Sequence, residues 1–306
     1  MSPQSRRPTP RQTSKGRAKQ DPNAIRLGNS ESMPVLYEDR DIMAIDKPAG
    51  WMVTTPKWSH TKQNLQREIE IAVTRREPWV TRRQIKFLRF VHRLDRETSG
   101  VLLLAKNRYA LTRLSRLFAD QEIEKLYLCV VHGKPNHDQW MCTAPLGRSK
   151  SNESRMRIDP KEGQEAATIF ITLQSKTNRS LVLAAPLTGR THQIRVHLFG
   201  AGHSIIGDPL YTAGRAVKKE VDKAAQERAR PNQADLALRA WAVRFFFGPQ
   251  KKSVRIQADL SRYLGRFAKG FKEPDLAKLT KRVEELRRSE TLVTTKTGRL
   301  PKLPPT

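Results

Sequence analysis

The sequence predicts an α+β protein built on a mixed, mostly antiparallel central sheet flanked by helices. Three observations carry that expectation. Strand and helix signals mix along the chain without the strict alternation of parallel βαβ units. The runs Thr168 to Leu173 and Leu181 to Ala185, separated by a polar turn, read as a hairpin. Val101 to Ala105 is an unbroken apolar run, the pattern of a strand buried on both faces.

The remaining elements follow in order. Val35–Tyr37 and Asp41–Asp46 read as two short strands turned at Glu38 to Arg40, the second broken by Lys47-Pro48-Ala49-Gly50. Leu65, Ile69 and Val73 recur at i, i+4, i+8 and predict a helix over roughly 62–77. Ala110, Leu111, Leu114, Leu117 and Phe118 predict another, capped by Asn107. Its opposite face carries Arg108, Thr112, Arg113 and Arg116, which suits solvent and a polyanionic partner equally. Leu126 to Val131 is the next strand. Thr191 is expected to cap a short helix ending near Gly200 and Gly202. On it His192, Arg195 and Phe199 would share one face, with Ile194, Leu198 and Ala201 toward the core. Trp241 to Phe247 and Ser253 to Ile256 would be closing strands, followed from about Glu273 by one basic helix and a Pro-rich tail.

Composition suggests the domain plan. The arm 1–32 should be disordered, since its first 30 residues carry seven Lys/Arg and one acid with almost nothing apolar. The main folded domain should span 33–260, with a charged helical insertion near 213–233, and 261–306 should form a basic extension. The chain of 306 residues has a formal net charge of +28, from 58 Lys+Arg against 30 Asp+Glu. That excess implies a polyanionic partner. No apolar run approaches the ~18 residues of a spanning helix, so nucleic acid is favoured over membrane. Two cysteines outside any framework fit a reducing compartment, and cytoplasmic residence is expected. Seven scattered histidines without a ligand spacing predict no metal site.

The most informative stretch is Phe90 to Asn107. Asp95 lies between Arg93 and Arg96 in a polar run ending at Gly100, directly before the buried strand, so it is expected on a tight, rigidly anchored loop. Taken alone, Asp95 reads first as a structural ion pair with one of those arginines, and the nine-residue context reverses that reading. The nine residues His92 to Gly100 resemble the catalytic motif of the RluA-type pseudouridine synthases, H-R-L-D-R-x-T-S-G. Thr188 to Leu198 resembles that family's T-G-R-T-H-Q-I-R-V-H-L. Val35 to Asp39 with Asp46 to Gly50, Glu124 to Tyr127, and Ile205 to Tyr211 resemble three further blocks. The resemblance covers about 34–212 and, more weakly, 236–256.

The resemblance implies the pseudouridine synthase fold and the conversion of uridine in RNA to pseudouridine, with base flipping and no cofactor. Asp95 would be the catalytic aspartate. Arg195 would pair with it and keep it ionised, its planar fork holding both carboxylate oxygens. Tyr127 would stack on the released base, and Arg93 would help fill the vacated space. Arg96, Arg190 and His192 complete the expected substrate-binding set. Ribosomal RNA is the first substrate implied and transfer RNA the second. A monomer with no obligate protein partner is expected. Departures from the pattern are Leu238-Arg239-Ala240 where relatives show L-H-A, and Met52 to Pro56 where many have a histidine. Two rivals stay open: a catalytically silent RNA-binding protein on the same fold, and a hydrolase pairing Asp95 with Asp46 or Glu97.

Overall fold

The computed structural model describes residues 23–27, 32–54, 63–152, 154–212, 236–289 and 292–296. The charged insertion near 213–233, the first 22 residues and the Pro-rich tail lie outside the described residues. The chain runs through β1 (Ala24–Ile25), β2 (Met33–Glu38), β3 (Ile42–Lys47), α1 (Leu65–Thr74), α2 (Pro78–Arg82), β4 (Arg89–Phe90), β5 (Ser99–Ala105) and α3 (Arg108–Ala119). It continues with β6 (Glu124–His132), β7 (Gln139–Cys142), β8 (Leu146–Arg148), β9 (Met156–Ile158), β10 (Thr168–Ser175), β11 (Arg179–Pro186) and α4 (Gln193–Gly200). Last come β12 (Leu238–Phe247), β13 (Lys252–Gln257), α5 (Ser261–Phe267), α6 (Leu276–Arg287) and β14 (Thr294–Thr295).

Twelve strands form one sheet, ordered β1-β2-β3-β5-β12-β6-β11-β10-β7-β14, with β13 on β12 and β4 on β5. Its neighbours are antiparallel except where β5 meets β12 and β7 meets β14. Strands β8 and β9 form a separate pair. The apolar run of β5 has the expected cause. Leu102 and Leu104 join Met43, Ile45, Leu65, Ile69 and Trp79 on one face. Val101, Leu103 and Ala105 join Ile42, Ala44, Leu114 and Leu117 on the other. Helices α1 and α2 cover the first face and α3 the second, so every side chain of the strand from Val101 onward is buried.

Several elements differ from the sequence reading. Strand β1 falls inside the arm expected to be disordered. Ala24 and Ile25 pair with β2, and Ile25 and Leu27 are buried, so the arm contributes two apolar anchors to the core. Helix α1 is shorter than 62–77 because Asn64 caps it, its side chain accepting from Arg67 N at 3.2 Å. Beyond residue 260, α5 and α6 pack on the core that holds β6, β10 and β11, through Tyr263, Val283 and Leu286. Tyr263 donates to the carbonyls of Leu128 and Ala237. Arg244 joins buried Glu124 to Glu284 of α6.

Gly100 marks the parallel junction. Its φ is +116°, and a Cβ there would lie 2.0 Å from Ala240 O on β12. Gly100→Ala combines backbone strain and overpacking, each worth about 1–3 kcal/mol. A urea-denaturation midpoint lowered by the equivalent of about 2–4 kcal/mol is expected. An unchanged midpoint would show that the junction yields without cost.

Candidate active site

The site is assembled where β3 ends, β5 begins and α4 starts. Leu94 is buried in the core beneath β3 and β5, which leaves its neighbour Asp95 half-exposed at the surface of the loop. Thr98 N donates to Asp95 O at 3.2 Å and Gly50 N to Arg96 O at 2.8 Å, so the loop is a tight turn bonded to the 48–50 segment. The Lys47 ammonium, fully buried, donates to the carbonyls of Pro48, Arg96 and Thr98 at 2.9, 3.1 and 2.7 Å. Burial pulls its pKa down to about 7, against the opposing pull of Asp95 and Glu97. His92 braces the other side of the loop: its Nε2 accepts from Leu103 N at 2.9 Å and its ring stacks on Phe118.

The Thr188 to Leu198 block divides its labour. Gln193 ties the turn before α4 together, accepting from Thr188 Oγ1 and Arg190 N and donating to Ala167 O and Thr168 Oγ1. His197 is buried between Thr168 Oγ1 and Ala144 O, each at 3.0 Å. Arg195, 1% exposed, is the residue aimed at the loop. Its Nη1 donates to Asp95 Oδ2 at 3.3 Å and stands 3.7 Å from Glu97 Oε2. Its Nε and Nη2 donate to the two oxygens of buried Asp208, both at 2.8 Å. The fork expected on Asp95 is therefore spent on Asp208, and Asp95 receives a single N–H. Burial works against the Arg195 charge, yet Asp208, Asp95 and Glu97 together raise its pKa.

Asp208 was quoted within a motif but given no role by the sequence reading. Its Oδ1 also accepts from Leu210 N and Tyr211 N, as expected for an acid that closes its own turn. The expected Thr191 cap is also corrected. The cap position is His192, in a left-handed conformation (φ 55°, ψ 18°) with no side-chain capping bond. Thr191 instead accepts from Arg93 Nη2 at 2.9 Å. His192 thus stands at the end of the helix rather than along its face, with Nε2 4.0 Å from Asp95 Oδ2.

Asp95, Arg195 and His192 are thus brought together, and Arg93 spans the mouth to Thr191. Tyr127 on β6 pairs with Ala240 and Ala184 and lies between two core clusters. Burial, and after it the charge of Asp95, push the Tyr127 phenol upward, so it stays neutral. Arg96 and Arg190 are exposed; their described bonds go to Gly50 O and Glu165 O, which places them as loop fasteners around the site. Arg239, in the position of the departure noted above, holds Asp46 with two nitrogens at 2.6 and 3.1 Å and also reaches Ser99. Asp46 is thereby committed to a partner. Among the described residues, no cluster of His, Cys, Asp or Glu could hold a metal, and no helix is long and apolar enough to cross a membrane.

Burial lowers the pKa of His197 to about 4. A folded-state value below the ordinary 6.5 favours the neutral ring, so its contribution to stability is present above pH 6.5 and is lost as pH falls toward 4. The melting temperature of the wild type should therefore drop across that window, and His197→Gln should flatten the drop. An equal slope in both proteins would assign the acid sensitivity elsewhere.

Fold and site together define an α+β protein with a strongly basic chain and a loop carboxylate, Asp95, in contact with a buried, doubly anchored arginine. The sequence profile of the RNA pseudouridylate synthase family matches residues 41–199. Ribosomal large subunit pseudouridine synthase C of Buchnera aphidicola subsp. Baizongia pistaciae is 33% identical over 230 residues, covering 74% of this chain and 66% of its own length. An uncharacterized RNA pseudouridine synthase of Chlorobaculum parvum is 37% identical over 233 residues, covering 70% of this chain and 67% of its own. This chain therefore spans about two thirds of those relatives. The solved structure of Human RNA Pseudouridylate Synthase Domain Containing 1 superposes with a TM-score of 0.61 at 25% identity, covering 87% of this chain and 98% of that one. The chain belongs to the RNA pseudouridylate synthase family.

Proposed function

We propose that this protein is an RNA pseudouridine synthase that uses Asp95 to isomerise specific uridines in structured RNA, ribosomal RNA first and transfer RNA next. The reaction breaks the N1–C1′ bond, turns the uracil and joins C5 to C1′; the C5 proton is lost and N1 gains one. The observation that carries the reading is the Arg195 Nη1 contact on Asp95 Oδ2 at 3.3 Å. A cation held in place by Asp208 orients and balances the Asp95 carboxylate.

The surrounding groups suit the steps before chemistry. A stacked uridine must be flipped out at a cost of a few kcal/mol. Arg93, which donates to Thr191 Oγ1, fills the gap left in the stack in this reading. The apolar face of Tyr127 offers the base a surface worth ~1–3 kcal/mol. The net charge of +28 draws in the RNA backbone. Isomerisation needs no oxidant and no energy input, so no cofactor is invoked. The protein acts as a cytoplasmic monomer in this reading.

Glu97 is the second acid that a hydrolase would require, 3.7 Å from the same guanidinium nitrogen. The test separates the two chemistries. Purified protein is incubated with unmodified ribosomal and transfer RNA transcripts, and both pseudouridine and free uracil are quantified. Pseudouridine at discrete positions without uracil release is expected. Free uracil in stoichiometric amounts would favour hydrolysis, and RNA binding with neither product would favour a silent binding protein.

A further inference from the structure

We propose that His192 is a fixed, neutral hydrogen-bond donor to a carbonyl oxygen of the target uracil, and that Tyr211 is the positioning residue that decides which ring nitrogen carries the proton. The proposal rests on the pseudouridine synthase reading and deepens it.

Hydrogen-bond accounting favours one tautomer, the one that gives the buried phenolic proton an acceptor. Tyr211 Oη accepts from Met156 N at 2.8 Å and lies 2.8 Å from His192 Nδ1. A backbone N–H cannot accept, so among the described residues the one acceptor for the phenolic proton is Nδ1. Nδ1 is then the acceptor and Nε2 carries the hydrogen. A second argument agrees. Nε2 faces Asp95 Oδ2 at 4.0 Å, where a lone pair would oppose the carboxylate and an N–H complements it. Tyr211 is buried and held, with the guanidinium carbons of Arg195 and Arg155 5.2 and 5.3 Å from its ring centre.

Among the described residues the Nε2–H has no hydrogen-bond partner. A separation of 4.0 Å is too long for a hydrogen bond, and no other partner for Nε2 exists among the described residues. The donor is therefore open to an acceptor that enters beside Asp95. When N1–C1′ breaks, the bonding electron pair stays with the uracil and spreads onto its carbonyl oxygens until C5 bonds to C1′. A preorganised neutral donor stabilises that charge as it develops.

Two measurements on the full chain test this. In protein labelled with ¹⁵N-histidine and free of RNA, His192 should show an unprotonated Nδ1 and a protonated Nε2. Tyr211→Phe, which keeps the ring, should mix the two tautomers. In single turnover on an RNA that the wild type modifies, His192→Asn suits the left-handed backbone but withdraws the distal donor. Its rate at saturating RNA should fall about a hundredfold with RNA affinity unchanged. His192→Gln, which restores an N–H near Nε2, should recover about tenfold of that loss. A protonated Nδ1 in the wild type, or His192→Asn within about threefold of it, would overturn the proposal. A wild type that modifies no RNA would sink the underlying reading and the donor role with it; the tautomer, measured without RNA, would still judge Tyr211 separately.

Discussion

Asp95→Asn is expected to abolish pseudouridine formation while leaving the fold and RNA affinity close to wild type. The amide has the shape of the carboxylate, and the side chain is 21% exposed, so no buried charge is stranded by the exchange. Arg195 keeps its two bonds to Asp208 and stays in place. The loss falls on chemistry alone, because an amide can neither attack the nucleoside nor accept its proton. Single-turnover rates should drop by at least about 10³-fold, read as pseudouridine by mass spectrometry of digested RNA. Measurable turnover in the variant, with contaminating enzyme excluded by a mock purification, would remove Asp95 from its assigned role.

Asp208→Asn is expected to cost the most stability of the substitutions considered. Asp208 is fully buried and supplies both acceptors for the Arg195 fork. Asparagine can keep Oδ1 for Arg195 Nη2 and for the backbone N–H groups of Leu210 and Tyr211. Its amide NH₂ would then meet Arg195 Nε, donor against donor. Breaking a buried pair while the other charge stays costs about 3–5 kcal/mol, visible as a lowered urea midpoint. Activity should fall as well, since Asp95 and Glu97 become the remaining carboxylates on the guanidinium and draw it outward. A variant as stable as wild type would mean that water reaches Arg195, against its 1% exposure.

How much of this was legible in the chain depended on whether the determining contact was local. The apolar run of β5, the Asn107 cap and the β10–β11 hairpin are set by neighbours in sequence, and they form as read. Asp95 on its loop was legible for the same reason: a polar stretch that ends at a glycine and enters a buried strand leaves few alternatives. The partner of the Arg195 fork was not legible. Asp95 and Asp208 are both aspartates, and only the fold shows that one is sealed in and the other open. Thr191 failed as a cap because its hydroxyl is taken by Arg93, 98 residues away. Strands β1, β7 and β14 are too short or too polar to announce themselves, and pairing partners distant in sequence decide them.

The parallel contact between β5 and β12 also has a temporal meaning. Ser99 and Arg239 are bonded across 140 residues of chain. A ribosome adding ~5–20 residues per second needs several seconds or more between making the two. Throughout that interval the Asp95 loop exists, but the strand that secures its base has not been made. Arg195 and Asp208 also emerge late, well after Asp95. A nascent chain can therefore carry much of its basic surface long before it carries a complete site. The site is complete only once β12 has been made.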